Sequence, residues 1–151
     1  MTTNTPPYSK IIVAIDFSDS SKGVANRALD IASTNGAELI LVHATEYLSP
    51  LSFGDEPMPS PNWLLVEEQL VKHAETSLEA FARTMKMDNV KRIVPIGAPS
   101  HEIVEIAKEQ GADLIVVGTH GRRGLQRLLG STASGVLHHA PCDVLAVRLQ
   151  G

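Results

Sequence analysis

"LIVVGTHGRRGLQRLLGSTAS", residues 114–134, runs from an unbroken aliphatic segment into a stretch holding four glycines and ends on hydroxyl and small residues. An apolar run of that length without polar alternation reads as a strand covered on both faces. Gly130, followed by "STASGVLHH", reads as the start of a helix. A strand that empties into glycines and then into a helix N-terminus suits an anion. Glycine lets a ligand approach the main chain, successive amides converge on it, and the helix end adds about half a positive charge.

Outward from this stretch, aliphatic runs of strand length recur at 11–15 ("IIVAI"), 39–44 ("LILVHA"), 90–96 ("VKRIVPI") and 144–149 ("VLAVRL"). Helical patterns lie between them. Residues 18–36 open on cap-type side chains, place Val24, Ala28, Ile31 and Ala32 on one face and stop at Asn35 and Gly36. Residues 62–85 carry Val66, Leu70, Ala74, Leu78, Phe81 and Met85 as one stripe, expected to be core. Residues 99–111 open with Pro99, Ser100 and Glu102, carry Ile103, Ile106 and Ala107, and end at Gly111.

Strands alternating with helices predict a doubly wound α/β domain, Rossmann-like or flavodoxin-like, with a parallel five-stranded sheet in the order 3-2-1-4-5 and right-handed crossovers. A ligand is expected outside the carboxyl ends of the strands, where the connections change direction. The 151 residues read as a single domain able to bury about 70% of its unfolded surface. Residues 1–8 read as a disordered N-terminal segment. Residues 48–62, with four prolines, read as a loop, either a surface connection or a lid.

A net charge of −4 disfavours a general nucleic-acid binder. No apolar run approaches the roughly 18 residues of a membrane span, and no targeting pattern opens the chain, so a cytoplasmic protein is expected. One cysteine, Cys142, excludes an intrachain disulfide and a thiolate metal cluster, and reads as a small buried residue. The six histidines are scattered, and adjacent His138 and His139 would point about 100° apart on a helix, so no metal site is expected.

Two familiar phosphate motifs do not fit. No lysine follows Gly130, which excludes a Walker A loop, and strand 1 ends in "AIDFSDSS" without the glycine cluster of a dinucleotide fingerprint. The chain instead resembles the universal stress protein family across nearly its whole length. The resemblance rests on "KIIVAIDFSDSS", "AELILVHA", "IGAPSHEIVEIAKEQGADLIVVGTHGRRG" and "LLGSTASGVLHHAPCDVLAVRL" in that order. Adenine-nucleotide-binding members carry Gly, two residues, Gly, nine residues, then Gly with Ser or Thr. Here Gly118, Gly121, Gly130 and Ser131 follow that pattern with eight residues, one fewer, before Gly130.

The resemblance implies AMP or ATP as ligand, with magnesium accompanying a triphosphate. It places Asp16 beside the nucleoside, where the carboxylate accepts from a ribose hydroxyl or an adenine amine; the other reading of Asp16 is a cap on the first helix. Ala44 matches a position whose main chain bonds adenine. Gly97 resembles a glycine near the ribose, or is simply a turn before the third helix. Val117, Gly118, Thr119, His120, Gly121, Gly130, Ser131 and Thr132 form the expected phosphate and ribose cradle; the other reading is a tight strand-to-helix connection that binds nothing. His120 is either a donor to the ligand or solvated, and Arg122 and Arg123 either neutralise a second phosphate or lie in solvent. No catalytic residue is evident.

The expected function is a regulatory, stress-responsive nucleotide binder. A slow ATPase and a dimeric interaction module without nucleotide are the rivals. In relatives the last strand, 143–149 here, pairs with its copy, which implies a homodimer.

Overall fold

A computed structural model of the chain describes residues 7–46, 62–120 and 129–148. The elements run β1 (Lys10–Ala14), α1 (Ser21–Asn35), β2 (Glu38–Val42), α2 (Asn62–Thr84), β3 (Lys91–Ile93), α3 (Pro99–Gln110), β4 (Leu114–Gly118), α4 (Ser131–His139) and β5 (Asp143–Val147). The strands form one parallel sheet in the order β3-β2-β1-β4-β5, as expected from the alternation of runs and helices.

Side chains alternate across the sheet and split the core in two. Ile11, Val13, Leu39, Leu41, Leu114 and Val116 face α1 and α2, where Val24, Ala28, Leu78 and Ala82 meet them. Ile12, Ile40, Val42, Ile115 and Val117 face α3 and α4, where Ile103, Val104, Ala107, Ala133 and Val136 close the second layer. Helices α1 and α3 end at Gly36 and Gly111, both left-handed, whose amides return to Ala32 and Ala107.

The expected stripe on α2 is core only in part. Ala74, Leu78 and Ala82 are buried, and Phe81 and Met85 pack partly against them, but Val66 and Leu70 are exposed. The cause is length: a helix of 23 residues extends about 34 Å, and a five-residue strand about 17 Å. The first half of α2 therefore stands past the sheet. Asn62, where the expected loop and helix patterns meet, is its first residue. The rest of that loop lies outside the described residues, as do residues 1–6, Gly121, Arg122, Arg123 and Leu149.

At the amino end of the sheet, Asp113 accepts hydrogen bonds from the amides of Ser9 and Lys10 and from the Ser9 hydroxyl, at 2.8–3.1 Å. Tyr8, expected in the disordered segment, is instead half-buried, and its hydroxyl donates to Asp143 Oδ2 at 2.9 Å. Residues 8–10 are thus fastened to the amino ends of β4 and β5. Burial raises the Asp113 carboxyl, but the Ser9 and Lys10 donors outweigh it and hold the group below its usual range. A lowered pKa in the folded state gives stability that is present above the unfolded value, about 3.9, and lost as pH falls through the folded one. Asp113→Ala is expected to cost about 1–2 kcal/mol near neutral pH, the low end for charged hydrogen bonds because the site is partly exposed. In denaturant titrations the difference from wild type should shrink below about pH 4; a difference constant down to pH 2 would reject the latch.

Candidate functional site

The connection from β1 turns to α1 on one face, and that from β4 turns to α4 on the other, so the crevice lies between β1 and β4 at their carboxyl ends. Carrying the β1–β2 register (Ala14 opposite Val42) and the β1–β4 register (Val13 opposite Val116) forward to residue 16 sets Ala44 on one side of Asp16 and Thr119 on the other. Three expected site residues thus follow the carboxyl ends of three neighbouring strands, β2, β1 and β4. Directly beneath them Ala14, Val42 and Val117 belong to the α3–α4 face, the face on which the first turn of α4 packs through Ala133.

After β4 the Thr119 amide still bonds to Val147 of β5, and the Thr119 carbonyl accepts from the Gly130 amide at 2.7 Å. That bond pins both ends of the glycine-rich connection. Gly130 is the N-cap of α4 and no side chain caps the helix. The first bond of the helix is from Ser134 to the Gly130 carbonyl, which leaves the amides of Ser131, Thr132 and Ala133 without partners among the described residues. Thr119 Oγ1 and His120 Nδ1 are buried without a hydrogen-bond partner among the described residues. Unpaired donors and buried polar atoms therefore converge where β4 leads to α4. Gly118 itself serves packing, because a Cβ there would press on Val24 of α1 at 3.3 Å.

Asp16 Oδ1 accepts from the Ser18 amide at 2.9 Å and from the Ser21 hydroxyl at 3.0 Å. This orders the turn into α1, and Oδ2 makes no hydrogen bond among the described residues. Phe17 follows with φ of 62°, a conformation strained for an aromatic residue. Its ring lies 4.3 Å from that of His43, whose Nδ1 meets the Ile15 carbonyl at 2.7 Å. Neither residue was expected at the site; together they fix the exit of β1 against the exit of β2. Thr45 extends this fastening to β3, bonding Pro95 and Gly97 through its main chain. Gly97 has φ of 148°, and a Cβ on it would collide with Glu102 Oε1 at 2.5 Å. Its bare α-carbon admits the first turn of α3.

The other candidates stand apart. Burial and the carboxylates of Asp113 and Asp143 push the Cys142 thiol up, which keeps it protonated at the amino end of the sheet. Among the described residues no three metal-ligating side chains come together, and no helix is long and apolar enough to cross a membrane.

The sequence model of the Universal stress protein family matches residues 7–148. The chain belongs to the universal stress protein family. Universal stress protein A homolog 1 of Coxiella burnetii is 40% identical over 143 residues, covering 95% of this chain and 98% of that protein. Among solved structures, the hypothetical protein MJ0577 is 26% identical with a TM-score of 0.78, covering 96% of this chain and 99% of its own. A universal stress protein in complex with cAMP is 29% identical with a TM-score of 0.61, covering 93% and 97%. Both solved structures share the α/β fold of this chain.

Proposed function

We infer that this universal stress protein binds an adenine nucleotide, AMP or ATP, between β1 and β4 and serves as a cytoplasmic regulator that responds to nucleotide state. The observation that carries the reading is that three amides at the start of α4, together with Thr119 Oγ1 and His120 Nδ1, have no hydrogen-bond partner among the described residues. The cAMP complex of a similar protein supports the ligand class. In this reading phosphate sits on Gly130, Ser131 and Thr132, the base meets the main chain at Ala44, and Asp16 Oδ2 receives a ribose hydroxyl. Val117, Gly118 and Gly97 shape the walls, and Gly121, Arg122 and Arg123 complete the phosphate end. Magnesium arrives only with a triphosphate.

Binding without efficient turnover is the expected behaviour. Asp16 is the carboxylate among the candidate residues, and one of its oxygens is already committed to Ser18 and Ser21. The two sheet edges support a homodimer through β5. β3 is three residues long and carries Lys91 and Arg92, a protected edge, whereas Val144, Leu145 and Ala146 of β5 form an uncharged one.

The test is gentle purification, denaturation and mass detection of released small molecules, followed by titration of the emptied protein with AMP and ATP. Stoichiometric adenine nucleotide supports the reading. Phosphate release above background, abolished by Asp16→Ala, assigns an ATPase instead. No nucleotide released and none bound overturns it in favour of an interaction module.

A further inference from the structure

A side chain interrupts the ladder between β1 and β2 where the two strands reach the crevice. Just past β1 the Ile15 amide still bonds to the Val42 carbonyl at 2.9 Å, which sets Ile15 opposite His43. In a continued parallel ladder the next bonds run from the Ala44 amide to the Ile15 carbonyl and from the Phe17 amide to the Ala44 carbonyl. Neither forms among the described residues. The Ile15 carbonyl is met instead by the His43 ring at 2.7 Å, and because a carbonyl only accepts, Nδ1 carries the proton. Phe17, with φ of 62°, belongs to the turn into α1 rather than to a longer β1. Its ring lies 4.3 Å from the imidazole and 6.4 Å from Phe81, and so backs His43 from the α1–α2 side.

The flanking residues fix the direction of the groups left over. The amides of His43 and Thr45 bond to Ile93 and Pro95, and the Thr45 carbonyl accepts from Gly97, so both residues turn their main chain to the β3 side. Alternation along the segment turns the amide and carbonyl of Ala44 the other way, towards β1 and Asp16. Ala44 is half-buried, and its donor and acceptor stand side by side without partners among the described residues. Main-chain groups so placed call for a ligand or water. We propose that His43 is a positioning residue for the base: by occupying the Ile15 carbonyl it keeps the amide and carbonyl of Ala44 open to the edge of a 6-aminopurine. The proposal rests on the nucleotide reading above and adds the residue that opens the base subsite. The Ala44 amide donates to ring N1, and the carbonyl accepts from the 6-amino group. A 6-oxopurine presents N1–H and a carbonyl at the same places, so donor would face donor and acceptor would face acceptor.

Amide hydrogen exchange followed by NMR tests the ladder, and titration with AMP and with inosine monophosphate, which differ only at the base edge, tests the subsite. In the nucleotide-free wild type the Ala44 amide should exchange fast between the slow amides of His43 and Thr45, and slow down when AMP binds. AMP should be preferred to inosine monophosphate about tenfold or more. His43→Phe keeps a ring against Phe17 and removes the donor. The Ala44 amide should then pair with the Ile15 carbonyl and exchange slowly without nucleotide, and the preference for AMP should fall about tenfold. His43→Asn, whose side-chain amide donates to the same carbonyl, should restore the preference. Both nucleotides carry the same ribose and phosphate, so their ratio cancels any general loosening of the fold, and the wild-type exchange pattern needs no variant at all. A wild type that binds no AMP defeats the nucleotide reading and this proposal with it. A slow Ala44 amide in the nucleotide-free wild type, no preference for AMP, or an unaltered preference in His43→Phe overturns the proposal and leaves the nucleotide reading standing.

Discussion

Ser131→Asp is expected to make the protein more stable and a much poorer nucleotide binder. Ser131 is exposed at the first position of α4, behind an N-cap, Gly130, that supplies no side chain. A carboxylate in that turn meets the unpaired amides and the positive end of the helix dipole, which adds about 0.3–1 kcal/mol to stability. The same carboxylate stands where phosphate is proposed to sit. Two like charges about 4 Å apart at an effective dielectric near 20 repel by about 4 kcal/mol before screening, so a loss of affinity of a hundredfold or more is expected. Ser131→Ala controls for the hydroxyl and should change either quantity little. Denaturant unfolding and calorimetric titration with AMP and ATP check both signs. Increased stability with unchanged affinity would remove the helix terminus from the ligand site, whereas loss of both would indicate a damaged fold.

Much of the framework around the candidate site was readable because its parts are backbone features with strong local signatures. The aliphatic runs of β1 and β4 identify buried parallel strands, and Gly130 before Ser131 marks a helix start. The sequence also nominated Asp16, Ala44 and Thr119 one by one. That they follow the ends of three neighbouring strands was not legible in any one segment, because register and strand order belong to pairs of strands. Phe17 was missed for a different reason. An aromatic side chain disfavours positive φ, so local preference argues against the conformation in which Phe17 meets His43 and Phe81. The stripe on α2 shows a third limit: its periodicity defines a face, but the face is buried only as far as the sheet extends beneath it. Val66 and Ala74 are alike in pattern and opposite in environment.

Gly135 combines these limits and yields the second large expected effect. From sequence it is a glycine inside a short helix, and replacement by alanine would ordinarily gain about 1 kcal/mol through helix propensity. In the structure a Cβ at Gly135 would lie 2.6 Å from both Cβ and Oγ of Ser100 on α3. The hydroxyl can rotate away, but the Ser100 Cβ is fixed to its backbone, so the two helices must separate. The sign therefore reverses: Gly135→Ala should destabilise by about 1–3 kcal/mol, the usual cost of overpacking. Ser100→Gly removes both clashing atoms at a cost of about 1 kcal/mol, and the double variant should be more stable than the sum of the single changes predicts. Position 135 is one turn from Ser131, about 6 Å along the axis, so displacement of α4 also moves the amides of Ser131, Thr132 and Ala133. Nucleotide affinity should accordingly fall several-fold in Gly135→Ala and recover in the double variant, without either residue touching the ligand. Additive stabilities would show that the α3–α4 contact is looser than this packing. Coupled stabilities with unaltered affinity would show that the seat of α4 and the hold on phosphate are independent.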